Sequence, residues 1–122
     1  MKVKINIDMY SMDLTVVTSF DEFKEIHLEA REEVPFVTVE KGQSIFVLVS
    51  DEWGSMYDHR FIQCLSHEMN HAAICMLSYV GVKFDYNNQE ALCYLQDYFM
   101  ATIFKEINKN HKKQLKLMTS KR

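Results

Sequence analysis

Proline occurs once in the 122 residues, at Pro35, and cysteine three times, at Cys64, Cys75 and Cys93. The lone proline marks one break, between a helical pattern ending near Ala30 and a strand pattern beginning at Phe36. The cysteines are odd in number, lie within helical patterns and show no paired spacing, which argues against a disulfide framework. They read as small buried residues of a reducing compartment, so the cytoplasm is the expected location. No apolar run approaches the eighteen residues of a membrane span. The first eight residues, Met1 to Asp8, alternate like a strand and lack the apolar centre of a signal peptide. With 48% hydrophobic residues the chain is long enough for one core and too short for two comfortable domains.

What the chain does have is Ser66-His67-Glu68-Met69-Asn70-His71, an HExxH set inside a helical pattern from about Asp58 to Val80. Histidines four apart on a helix differ by about 40° around the axis and about 6 Å along it, so both imidazoles reach one cation from the same side. Glu68, their helical neighbour, is badly placed to be a third ligand and suited to deprotonating a water held by the metal. Ile62, Leu65, Met69, Ala72, Ala73, Met76 and Val80 cluster on one side of this helix at 100° per residue, and His67 and His71 point nearly opposite, together with Arg60 and Ser78. The helix therefore turns its two histidines and Glu68 to a cleft or to solvent. The plainer alternative is a surface helix with two exposed histidines.

Gly81 stands where a left-handed residue closes a helix, residues 82–88 form a short connection, and a second helical pattern opens at Gln89 with Glu90 in its first turn. A short connection makes antiparallel neighbours, which can bring Glu90 to the histidines. Two imidazoles and one carboxylate leave one position of a tetrahedral Zn2+ open, the arrangement of a catalytic site.

The run His67-Glu68-Met69-Asn70-His71, eighteen residues, then Glu90-Ala91-Leu92-Cys93-Tyr94 resembles the gluzincin clan of zinc metallopeptidases, in which the third ligand is a glutamate on the next helix. The resemblance covers about Tyr57 to Thr102. The stretches HEMNHAAICML and NNQEALCYL are also similar to small zinc-peptidase-like proteins encoded by tailed bacteriophages. The resemblance implies an α+β, zincin-like fold: a small mixed sheet with a backing helix, the metal-bearing helix and a following C-terminal helix. It further implies His67, His71 and Glu90 as metal ligands, Glu68 as general base, and a peptide or protein as substrate. One departure is Gln89, where the family usually has Asn before the third ligand; a longer amide can still contact a histidine. Tyr94 and Asp97 recur with Glu90 on one helix face and are further candidates for that supporting contact, with surface polar residues as the alternative. A donor for the tetrahedral oxyanion normally comes from a second subdomain that the chain is too short to contain, leaving Tyr79, Tyr86 and His111 as candidates.

Elsewhere, Lys2 to Asp8 and Leu14 to Thr18 read as pairing strands. Ser19 and Glu22 have capping-box spacing, opening a helix whose Phe20, Phe23, Ile26, His27 and Ala30 share a face, His27 being a half-buried helix histidine. Phe36 to Glu40 and Ser44 to Ser50 read as a hairpin about Lys41-Gly42-Gln43. Ile45-Phe46-Val47-Leu48-Val49 has no polar break and belongs inside the sheet with both faces covered. Trp53 reads as a ring covering the core edge, with a wall of the substrate cleft as the alternative. Ser55 or Asp58 caps the histidine helix, and His59 is displaced the wrong way round the helix to join the ligand set. Leu92, Leu95, Phe99, Ile103 and Ile107 recur at helical spacing and should pack on the sheet or on the histidine helix.

Residues 105–122 hold seven Lys or Arg against Glu106 alone, net +6, while residues 1–104 carry −9. The expected organisation is a zincin-like metallopeptidase domain over 1–104 with a basic helix end or tail over 105–122, whose cations oppose the helix dipole near an acidic body. Two rivals to the peptidase stand. One is a zinc-bearing zincin scaffold that binds and blocks a partner without turnover. The other is a nucleic-acid-associated protein acting through the tail, although no aromatic is interleaved with the lysines after Phe104. No membrane partner is expected.

Overall fold

The computed structural model describes the chain except Arg31, Trp53, Gly54, Ser55, Tyr57, Phe84, Lys121 and Arg122, and the side chain of Ser120. The expectations for Trp53 and for Ser55 as a cap therefore lie outside the described residues.

Alternation of Val3 and Ile5 with Lys2, Lys4 and Asn6 gives β1 (Lys2–Ile7) one dry and one wet face. A 3-10 turn at Asp8–Tyr10, closed by Ser11 at φ 52°, returns the chain into β2 (Met12–Val17), antiparallel to β1. β3 (Phe36–Lys41) and β4 (Ser44–Val49) form the hairpin, with Gly42 at φ 62° supplying the left-handed turn residue. β4 then pairs parallel with β2, which gives a mixed sheet of order β1-β2-β4-β3 with β3 at one edge. The parallel pair needs a crossover, and α1 (Phe20–Ile26) lies within it. The fold is α+β, a small mixed sheet with three helices.

The unbroken apolar run of β4 is buried on both faces. Ile45, Val47 and Val49 join the main core under the two long helices, and Leu48 joins Val17 and Phe23 under α1. Ser19 caps α1 as its spacing requires, accepting from the Glu22 N–H at 3.2 Å and donating to the Glu22 carboxylate at 2.9 Å. The helix is shorter than its apolar pattern suggests. It ends at Ile26, His27 leaves helical geometry at φ −131°, and Leu28 is 86% exposed; from the helix itself Phe23 is buried in the small secondary core, beside Val17 and Leu48.

Asp58 caps α2 (His59–Tyr79), accepting from the Arg60 N–H at 2.9 Å. Phe61 rather than Ile62 fills the core at the first turn. The ring takes the space against the sheet and leaves Ile62 exposed, and Leu77 is buried at the other end. Val80 and Gly81 close α2 as a Schellman turn: with Gly81 at φ 86°, its N–H donates to Ser78 and that of Val82 to Leu77. Asp85 then accepts from the Asn87 and Asn88 N–H groups at 2.7 and 3.1 Å and leads into α3 (Gln89–Ser120). Leu92, Phe99, Ile103 and Ile107 are buried and Leu95 half-buried, as their spacing requires. Beyond Ile107 the helix continues almost wholly exposed, so the basic residues 105–120 extend α3 without a break. Among the described residues no helix is long and apolar enough to cross a membrane.

Candidate metal centre and cleft

His67 and His71 are both exposed on α2, and their Nε2 atoms lie 3.2 Å apart, with ring centroids at 4.8 Å. Two nitrogen ligands about 2.05 Å from a tetrahedral Zn2+ stand about 3.3 Å apart. The sequence spacing has become a pair of converging ring nitrogens; the same separation also suits a direct N–H···N bond between the rings.

The helix pattern turns Glu68 with the histidines to a cleft or to solvent, and open solvent is not where it lies. It is only 4% exposed, and its carboxylate Oε2 accepts from the hydroxyl of Thr38 on β3, which also lies 3.4 Å from the Glu68 carbonyl oxygen. The cause is tertiary: the row of β3 that faces α2, Phe36, Thr38 and Glu40, runs along this side of the helix. The Phe36 ring sits 6.1 Å from that of His67 in an edge arrangement, and the Glu40 carboxylate lies near Cys75. Burial, aided by that carboxylate, raises the Cys75 thiol above its usual range. A buried carboxylate costs several kcal/mol unless bonded, and Thr38 is the partner of Glu68 among the described residues.

On the other flank, Gln96 of α3 donates to the carbonyl of Ser66 at 3.1 Å and accepts from the Asn70 side-chain amide at 2.9 Å. Ser66 and Asn70 immediately precede the two histidines, so this one amide ties α3 to the histidine turn. In an antiparallel pair each step back along α3 is a step forward along α2, which sets Glu90 level with Ile74, about 4.5 Å past His71 along the axis. Asp97 comes level with His67 by the same count. Gln89, Glu90, Tyr94 and Asp97 are all exposed. Among the described residues no three His, Cys, Asp or Glu side chains gather into a metal-holding group. The structure thus brings His67 and His71 together and leaves Glu90 outside their immediate contact. No hydrogen bond joins Gln89, Tyr94 or Asp97 to either histidine among the described residues. Thr38 and Gln96 carry no local signal; each meets α2 across 26 to 30 residues of chain.

Among the described residues, cavities lie on both sides of α2. One of about 370 Å3 opens beside His67, walled by Phe36, Val49, Phe61 and Cys64 with Arg60 and Gln63 on its helix side. The other, about 420 Å3, lies at the α2–α3 connection among Ile74, Leu77, Val82, Lys83 and Leu92. It is remote from the histidines, and the smaller one is the cavity that His67 lines. Compared with known proteins, the chain matches no family model, no curated protein and no solved structure.

Proposed function

We propose that the protein is a zinc-dependent metallopeptidase of gluzincin type on a zincin-like fold, acting on a peptide or protein substrate. The observation that carries the reading is the 3.2 Å approach of the His67 and His71 Nε2 atoms on an exposed helix face, the separation that two ligands of one tetrahedral cation require. His67 and His71 would be the first two ligands. Glu90, exposed at the start of α3 and about 4.5 Å past His71 along the axis, would be the third. Zinc bound there would lower the pKa of the attacking water and polarise the scissile carbonyl.

The chain's own residues do the rest. Glu68 takes the proton from the attacking water and delivers it to the leaving amine. Thr38 holds one oxygen of that carboxylate. β3, one of the two edge strands of the sheet, lies beside the histidine turn with Phe36 against His67, where an extended peptide can add as a further strand.

The test is zinc content and peptide hydrolysis in the wild type and in Glu68→Gln. Bound zinc with turnover that falls by about 10²–10⁴-fold in the variant supports the reading. A protein that binds zinc and cuts nothing supports instead the zinc-bearing binding scaffold, a reading favoured by the buried, engaged state of Glu68.

A further inference from the structure

The cavity beside His67 is lined mainly by apolar groups, Pro35, Phe36, Val49, Phe61 and Cys64, and at about 370 Å3 it has room for one large side chain. Among the described residues that wall it, Arg60 alone is permanently charged, and it makes no ion pair with any of them. Asp58, the acid nearest in sequence, is engaged elsewhere: it accepts from the Arg60 backbone N–H and pairs with the His59 ring at 3.1 Å. Arg60 and His67 are seven residues apart, nearly two helical turns, so they share a helix face about 10 Å apart along the axis. That span suits a residue or two of extended chain plus the reach of an arginine. Asp51 and Glu52, which follow Ser50 at the far wall, are exposed and screened by solvent.

From this juxtaposition we propose that the cavity receives the apolar C-terminal residue of a peptide and that Arg60 pairs with its carboxylate. A planar guanidinium is suited to bidentate capture of a carboxylate, and the apolar wall selects Leu, Met or Phe over charged side chains. Resting on the peptidase reading, this names the substrate class: peptides cut within two residues of a free C-terminus. In that reaction water adds across the peptide bond. The carbon–oxygen bond forms, the carbon–nitrogen bond breaks, and the proton taken by Glu68 leaves on the amine of the released C-terminal fragment.

The test separates binding from turnover. N-acetylphenylalanine and N-acetylphenylalaninamide are titrated into the zinc-loaded protein and followed by amide NMR shifts. The acid should bind at least about tenfold more tightly than the amide and perturb Val49, Phe61 and Cys64. Arg60→Gln should abolish the difference while leaving the amide's affinity unchanged, with Arg60→Lys intermediate. Equal affinity for acid and amide, or shifts confined to the other end of α2, would overturn the proposal. In a second arm, hexapeptides ending in Leu are compared as free acid and amide. A preference for the free acid in cleavage supports the assignment, and equal cleavage of both overturns it. Selective acid binding without cleavage of either peptide leaves the cavity assignment standing and refutes the peptidase.

Discussion

The hydroxyl of Thr38 on the edge strand donates to the carboxylate of Glu68 on α2, thirty residues away in sequence. The residue that the motif marks as a base is therefore held by a strand and not displayed to solvent. Replacing Thr38 with Val keeps the shape and removes the donor. The expected cost is about 1–3 kcal/mol of stability, from a buried carboxylate left without its partner, together with lower kcat at little changed KM and unchanged zinc content. Thr38→Ser should restore both. Chemical denaturation and steady-state kinetics check this. A Val variant as active and stable as the wild type would show the bond to be incidental.

Gln96 should matter through the helix pair. Gln96→Leu removes the bonds to Ser66 and Asn70 and leaves a helix carbonyl and an amide with one partner fewer, for a loss of about 1–2 kcal/mol. Because α3 also carries Glu90, metal affinity should fall with it, whereas a substitution at the exposed Tyr94 should change neither. Calorimetric zinc titration of the three proteins decides this.

Gly81 closes α2 at φ 86°, and a Cβ there would meet nothing within 4 Å. Any cost of Gly81→Ala is thus backbone strain and not a clash, about 1 kcal/mol. Gly81→Asn, which tolerates the left-handed region better, should cost less. Urea midpoints of the three proteins measure the order.

Glu52, though exposed, titrates above its usual range, chiefly because Glu33 lies near it, with a slight loss of hydration and with Asp51 and Asp21 adding to the effect. A raised carboxylate binds protons more readily in the folded chain, so its contribution to stability is present at low pH and is lost as pH rises through the folded value. Glu52→Gln should therefore raise Tm slightly at pH 7 and not at all below about pH 4, and added salt should shrink the gain. Thermal melts across pH with and without salt check it; a gain that persists at low pH would contradict this origin.

The local devices were legible in the residues themselves. Ser19 with Glu22, Gly42 in the hairpin, Asp58 ahead of α2, and Gly81 after it are each determined by a few neighbouring dihedrals and hydrogen bonds, and each falls where its pattern places it. The apolar run of β4 announced its burial on two faces for the same reason. Features that depend on distant chain were not legible. Glu68 reads as turned with the histidines to a cleft or to solvent, and the arrival of β3 buries it. Gln96 reads as an ordinary polar position until α3 is laid against α2. Ile62 has the right angle for the core and loses the place to the larger Phe61. The spacing of His67 and His71 sets their approach because four residues of helix fix it. The reach of Glu90 depends on the packing of two helices and is not set by any such local rule.

The most direct test of the metal centre is a zinc or cobalt(II) titration of the full chain, with His67→Ala, His71→Ala, Glu90→Gln and Asp97→Asn alongside. The account predicts one ion per wild-type chain, with cobalt absorption of a four-coordinate site. Binding should be lost in either histidine variant and weakened in Glu90→Gln, while Asp97→Asn keeps the ion. A wild-type chain that takes up no stoichiometric metal, or whose uptake is indifferent to His67 and His71, would contradict it.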